Sequence, residues 1–297
     1  MSNVDLHMHS IHSDDGEFTV KELFKLAKEA NLNLMSITDH DTVEANFEAV
    51  EIADLYGITY LPGIEVSCQF NDIDLHVIGY NIDYTDPIWD KRYHNLVNAY
   101  NSTFYQIIEL LNAFLGVSID ADQLLSEAAG KMVNGESVCA YLLKDQANIN
   151  NPLLRPYFPG GDRSDMPLVN FYWDLMSQGK VAYVPLKDST TLVEAIKMIK
   201  DAGGFAVLAH PGQNLGGKEQ LLPEILKCGI TGIEVYTSYH NPQQIAYYHQ
   251  KAIENDCLIT CGSDFHGAIK PIIKMGKHHG DIQFTDFMNE LKQRKLI

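Results

Sequence analysis

Histidine and carboxylate side chains recur along this 297-residue chain at or beside the ends of apolar, strand-like runs. His7 and His9 stand two apart in Asp5-Leu6-His7-Met8-His9-Ser10. His40 follows residues 34–38, Glu65 closes residues 59–66, and His210 ends residues 205–209. Asp264 and His266 follow residues 258–261. Imidazole and carboxylate are donors that hold catalytic divalent metals. Alternation along a strand puts His7 and His9 on one face, so one rigid element can offer both to one ion. His76 stands early in its run, residues 75–82. It reaches the others if that strand runs against its neighbours or bends inward. The pattern reads as a metallohydrolase.

Such residues converge only if the chain folds the strand ends together. Seven β-type runs, residues 4–8, 34–38, 59–66, 75–82, 205–209, 232–236 and 258–261, are separated largely by helical patterns. Thr19-Val20-Lys21-Glu22 and Thr191-Leu192-Val193-Glu194 are capping boxes, and Asn241-Pro242 is a cap with proline at the first helical position. Thr42 is expected to open a second helix that Gly57 closes. Alternating β and α predicts an α/β fold with parallel strands, and in αβ barrels the C-terminal strand ends share one mouth. Between about Asp86 and Lys187 the alternation gives way to helical pattern and a Pro/Gly-rich segment. We expect a barrel over 1–87 and 186–297, with a mainly helical insertion over 88–185 that covers the mouth. A last amphipathic helix is expected over 285–295.

Composition sets limits. The formal charge is −17, from 22 Lys+Arg against 39 Asp+Glu. Such a surface disfavours a duplex-DNA groove, because phosphate contacts need cations. No apolar run is long enough for a membrane span, and the first residues lack a signal peptide's basic and apolar regions. Five cysteines without a CxxC pair suit reduced thiols, and a cytoplasmic location is expected. Oligomeric state is not legible.

Taken together, Asp5-Leu6-His7-Met8-His9-Ser10, Ser13-Asp14-Asp15-Gly16, Ile37-Thr38-Asp39-His40-Asp41, Pro62-Gly63-Ile64-Glu65, Leu75-His76-Val77-Ile78-Gly79, Leu208-Ala209-His210-Pro211 and Gly262-Ser263-Asp264-Phe265-His266 resemble the polymerase-and-histidinol-phosphatase (PHP) superfamily. The insertion resembles a bacterial branch with nucleoside-3′,5′-bisphosphate phosphatases and exonucleases of short RNA. The resemblance implies a distorted (β/α)7 barrel and three divalent ions of Mn, Fe or Zn. The implied ligands are His7, His9, Asp14, His40, Glu65, His76, His210, Asp264 and His266. Glu65 would bridge two ions, and a bridging hydroxide would be the nucleophile. Counting five residues on from His9 gives Asp14; counting back from Gly16 gives Asp15. Asp14 is preferred.

The expected reaction is hydrolysis of a small phosphomonoester, of the nucleoside bisphosphate or short oligonucleotide class. Such a metal site stays cationic within an acidic protein and favours a phosphate oxyanion. His210 or His266 could protonate the leaving oxygen, as could a water. Arg155, Arg163 and Lys180 are candidate phosphate contacts, although relatives in that branch carry an Arg where this chain has Met132-Val133-Asn134-Gly135. The alternatives are histidinol-phosphate phosphatase, an amidohydrolase-type C–N hydrolase, which usually bridges its metals with a modified lysine, and a non-catalytic metal-binding accessory domain. Asp39 and Asp41 are read as orienting an imidazole, with a helix cap as a second role for Asp41. His240, His249, His278 and His279 are read as solvent-facing.

Overall fold

A computed structural model describes residues 3–186 and 189–297. Met1, Ser2, Lys187 and Asp188 lie outside the described residues, and with them the point near Lys187 where the alternating pattern is expected to resume. The chain divides into two compact units. The first comprises Met1–Lys91, Thr190–Gly267 and Ile273–Ile297, and the second Arg92–Ser189 with Ala268–Ile272. The expected limits were 87/88 and 185/186.

The first unit is α/β. Its strands are β1 (Val4–Asp5), β2 (Leu34–Met35), β3 (Thr59–Tyr60), β4 (Gly63–Phe70), β5 (Ile73–Tyr80), β6 (Phe205–Leu208), β7 (Gly232–Thr237) and β8 (Leu258–Gly262). β1, β2 and β3 pair in parallel, as do β6, β7 and β8. Further hydrogen bonds join the two sheets. The Leu6 N–H donates to Cys261 O at 3.0 Å and the His9 N–H to Phe265 O at 2.9 Å, tying β1 to β8. The Asp41 N–H donates to Glu65 O at 2.8 Å, tying the continuation of β2 to β4. The run expected over 59–66 is broken between Tyr60 and Gly63. There Pro62 has no N–H to give a ladder, and its carbonyl instead accepts from Asn81 N–H at 2.8 Å.

β5 is the exception in direction. It runs antiparallel to both β4 and β6, with Ser67 opposite His76 and Val77 opposite Leu208. Its beginning therefore lies where its parallel neighbours end. That direction brings an early residue, His76, level with the end of β6.

Helix signals mostly act as their chemistry dictates. Thr19 and Thr191 each accept from the N–H three residues on, and Glu22 and Glu194 return the bond. Asn241 caps the helix Pro242–Glu254, with Gln244 completing the box. Gly57 takes the left-handed conformation, φ +67°, after the helix Glu44–Tyr56. That helix starts later than expected, with Val43 rather than Thr42 at its cap and no side-chain bond there. The last helix is Phe284–Gln293.

Strand alternation decides what is buried where. Leu6 and Met8 enter apolar clusters, Leu6 with Leu34, Ile78, Val207 and Leu291, and Met8 with Phe24, Ile37 and Ala49. His7 and His9, on the opposite face, are also fully buried, but among polar groups. The second unit is mainly helical, with Ile88–Leu115 passing into it, then Ala121–Glu127 and Gly135–Lys144. Its own core joins Phe104, Leu111, Val138, Leu142 and Phe171.

Candidate active site

Five imidazoles converge on Glu65. Its Oε2 lies 3.1 Å from His7 Nε2, 3.3 Å from His9 Nε2 and 3.2 Å from His40 Nδ1. Its Oε1 lies 2.9 Å from His76 Nδ1 and 2.9 Å from His210 Nε2. Asp264 Oδ1 stands 3.2 Å from His7 Nε2 and 3.0 Å from His9 Nε2. Asp15 Oδ2 stands 3.0 Å from His266 Nε2 and 3.5 Å from His40 Nε2. Donor atoms within 4.8 Å of one another fall into three overlapping groups: His9, Asp15, His40 and His266; His7, His9, Glu65 and Asp264; and His40, Glu65 and His76.

Charge runs strongly through this cluster. Burial opposes a charge on His7, but Glu65, Glu234 and Asp264 outweigh it and raise its pKa well above the ordinary value. Burial likewise opposes charge on His40, while Glu65 and Asp15 push its pKa up to about 10. Burial would raise the Glu65 carboxyl; His7, His40 and His76 hold it well below the usual carboxylate range. For Asp15, burial is again outweighed, here by His266 and His40, and its pKa falls well below normal. On His76 burial prevails over Glu65 and lowers the pKa.

These donors fit divalent cations. A carboxylate offers about four lone-pair positions, and five ring nitrogens face Glu65, so hydrogen bonds alone do not use them all. The mixed imidazole and carboxylate set suits Mn, Fe or Zn. Glu65 presents one oxygen to each of two histidine sets.

The two adjacent aspartates are placed differently. Asp15, not Asp14, is the carboxylate grouped with His9, His40 and His266. The turn decides this. Gly16 packs so closely on Ser10 that a Cβ would sit 1.8 Å from Ser10 O. Within it, Ser13 Oγ donates to Asp15 Oδ1 at 2.7 Å and accepts from the His40 N–H at 3.3 Å. The tight return leaves Asp15 Oδ2 beside His266 and His40.

Other expectations also change. Asp39 accepts from the Ser10 N–H and hydroxyl, both at 2.6 Å, so it pins the turn after His9 and not an imidazole. Asp41 accepts from the Ser67 N–H at 2.8 Å and caps no helix. His240 and His278 are buried, not solvent-facing. His240 Nδ1 bonds Val235 O and its Nε2 accepts from the Gly212 N–H, both at 2.9 Å. His278 Nε2 bonds Val4 O at 2.8 Å.

The three cations expected to grip phosphate lie in the second unit. Arg163 makes a forked pair with Asp174, at 2.7 and 2.9 Å, and Tyr157 donates to the same carboxylate. Arg155 Nη1 donates to Pro159 O at 3.3 Å. Lys180 is exposed. Sequence reasoning missed Ser13, Glu234 and Tyr239, whose hydroxyl donates to Asp264 Oδ2. A glutamate inside the apolar run Ile233-Glu234-Val235 was the available signal for the second of these.

The PHP domain model matches residues 5–144. Over those residues the chain carries a PHP domain, and it is a phosphoesterase. It is similar to phosphoribosyl 1,2-cyclic phosphate 1,2-diphosphodiesterase of Eggerthella lenta, 27% identical over 92% of this chain and 97% of the relative. It is also similar to 3′,5′-nucleoside bisphosphate phosphatase of Chromobacterium violaceum, 29% identical over 90% and 88%. A 5′-3′ exoribonuclease of Escherichia coli is 28% identical over 92% and 88%. Among solved structures, one described as an amidohydrolase from Chromobacterium violaceum with bound sulfate aligns with TM-score 0.77 at 24% identity, covering 99% of this chain and 97% of that one. It speaks for the fold. No helix among the described residues is long and apolar enough to cross a membrane.

Proposed function

We propose that the chain hydrolyses a small phosphorylated ester of the nucleoside 3′,5′-bisphosphate or short-oligonucleotide class. The carrying observation is the convergence of His7, His9, His40, His76 and His210 on the two oxygens of Glu65. Names of the relatives support the substrate class, since each acts on a phosphate ester of a nucleotide, sugar or RNA. Glu65 holds the centre where an amidohydrolase would usually place a modified lysine, which favours phosphoester over C–N hydrolysis.

His7, His9, Asp15, His40, Glu65, His76, His210, Asp264 and His266 would hold the ions, and the three donor groups support a count of three. Divalent ions bound there supply an activated water and offset charge building on the phosphate oxygens. The protein's own residues hold the geometry. His266 Nε2 faces Asp15 and its Nδ1 faces Asp264 O at 2.8 Å. His210 Nε2 faces Glu65 and its Nδ1 faces Asn214 Oδ1 at 2.7 Å. With both nitrogens engaged, these rings act as holders, and water is the source of the leaving group's proton.

The test is hydrolysis by protein of measured metal content, read as phosphate release from adenosine 3′,5′-bisphosphate, histidinol phosphate and p-nitrophenyl phosphate and as nucleotide release from short RNA. Turnover of the bisphosphate or RNA ahead of histidinol phosphate is the expected result. A metal-loaded protein that hydrolyses none of the four refutes the reading.

A further inference from the structure

Glu234 stands in β7 with no solvent exposure. Its two oxygens serve two different partners. Oε1 lies 3.0 Å from His7 Nδ1, and Oε2 accepts from the backbone N–H of His210 at 2.9 Å. A backbone N–H can only donate, so Oε2 is fixed as an acceptor. The same two residues reach opposite oxygens of Glu65, His7 through Nε2 to Oε2 and His210 through Nε2 to Oε1.

Both partners need holding. The His210 backbone has φ +23°, a sparsely populated conformation for a side chain with a Cβ. Such strain persists only where surroundings fix it. His7 can carry its proton on either nitrogen, and only the Nδ1–H form leaves Nε2 free to bind an ion. Space for the arrangement is reserved by Gly262, where a Cβ would sit 2.1 Å from His7 Cβ and 2.5 Å from Glu234 Oε1.

We infer that Glu234 is a positioning residue for the metal centre, fixing the Nδ1–H form of His7 and the strained backbone of His210 at once. The inference rests on the metal reading of the site. Partners that orient a metal-binding imidazole typically change metal affinity about 10- to 100-fold when lost.

Glu234→Gln is the informative substitution. Glutamine fills the same space but has one acceptor oxygen, so it can accept from His7 or from His210 and not from both. Mn²⁺ binding is followed by the loss of free-ion EPR signal on titration, with circular dichroism as the check on folding. The expected result is a folded E234Q protein whose Mn²⁺ affinity falls about 10- to 100-fold. Unchanged affinity in folded E234Q, with wild type binding Mn²⁺, overturns the inference alone. Wild type that takes up no Mn²⁺ overturns the metal reading, and the inference falls with it. Should E234Q not fold, ¹⁵N-histidine spectra of Zn²⁺-loaded wild type decide: a His7 signal with the proton on Nδ1 supports the inference, and one on Nε2 overturns it.

Discussion

The two units treat buried polarity in opposite ways. Among the described residues of the second unit, the buried polar side chains are Arg92, Asn170 and Ser177, and its core is otherwise apolar. Its forked ion pair, Arg163 with Asp174, lies partly in solvent. The first unit buries Asp5, Asp39, Asp41, Glu65, Glu234 and Asp264, and with them His7, His9, His210, His240, His266 and His278. Burying charge is costly unless it is paired. The first unit accepts that cost where its strands end, and the second avoids it. One gathers buried charge at the candidate site, and the other packs an apolar core.

The sharpest way to break this contrast is His9→Ala. It should lower turnover of p-nitrophenyl phosphate with Mn²⁺ by about a thousandfold or more, corresponding to roughly 4 kcal/mol in the barrier. Thermal melting of the metal-free variant should match wild type or exceed it, because a residue held for chemistry adds little to packing. A large drop in metal-free stability would make His9 a core residue and erase the distinction.

Leu111→Ala should behave in reverse. Leu111 is fully buried in the second unit's apolar core, and its truncation should cost about 2–5 kcal/mol in denaturant unfolding. Mn²⁺ stoichiometry should not change. Loss of bound metal in folded L111A would couple the units.

Stripping metal with a chelator should abolish activity and lower the melting temperature, and Mn²⁺ should restore both. At an ion concentration 100 times Kd, one bound ion adds about 2.7 kcal/mol. Identical melting curves with and without Mn²⁺ would contradict it.

His240 offers a finer test. Burial lowers its pKa in the fold, and the Val235 carbonyl only partly offsets that. The unfolded chain then takes up a proton that the folded one resists. Stability attached to neutral His240 is full above the unfolded value of about 6.5 and declines as pH falls below it. Between pH 7.5 and 5, metal-free wild type should lose more melting temperature than His240→Gln; equal losses refute this.

The smallest effect belongs to Arg163→Ala. A pair this exposed should be worth about 0–1 kcal/mol, with KM for p-nitrophenyl phosphate unchanged. A large rise in KM would restore Arg163 as a phosphate contact.

Much of the barrel was legible because strand period and caps act locally. Capping boxes at Thr19 and Thr191, the cap at Asn241 and the stop at Gly57 need only neighbouring residues. The strand-end histidines were legible because parallel strands bring like ends together. What failed to show depends on tertiary direction. Asp14 and Asp15 differ by one residue in a turn whose sense is set by Gly16 against Ser10. His240 and His278 read as polar surface, yet each ties a distant backbone group. Glu234 shows in the sequence only as a glutamate inside an apolar run, since alternation alone does not say that a barrel's inner face carries charge.

The reversal of β5 carries a consequence for how such chains diversify. Because β5 runs back, the chain leaves the barrel beside the place where it re-enters: Tyr80 pairs with Phe205, and the Asp83 N–H donates to Ala202 O at 2.7 Å. Apart from the helix Leu192–Asp201, which packs with Val66 and Val77 in the first unit, what lies between is a loop whose two ends are already stitched together. Doubling the length of such a loop costs only about 0.6 kcal/mol of closure entropy. Evolution, or an engineer, can therefore exchange that segment wholesale while every metal-facing side chain keeps its footing.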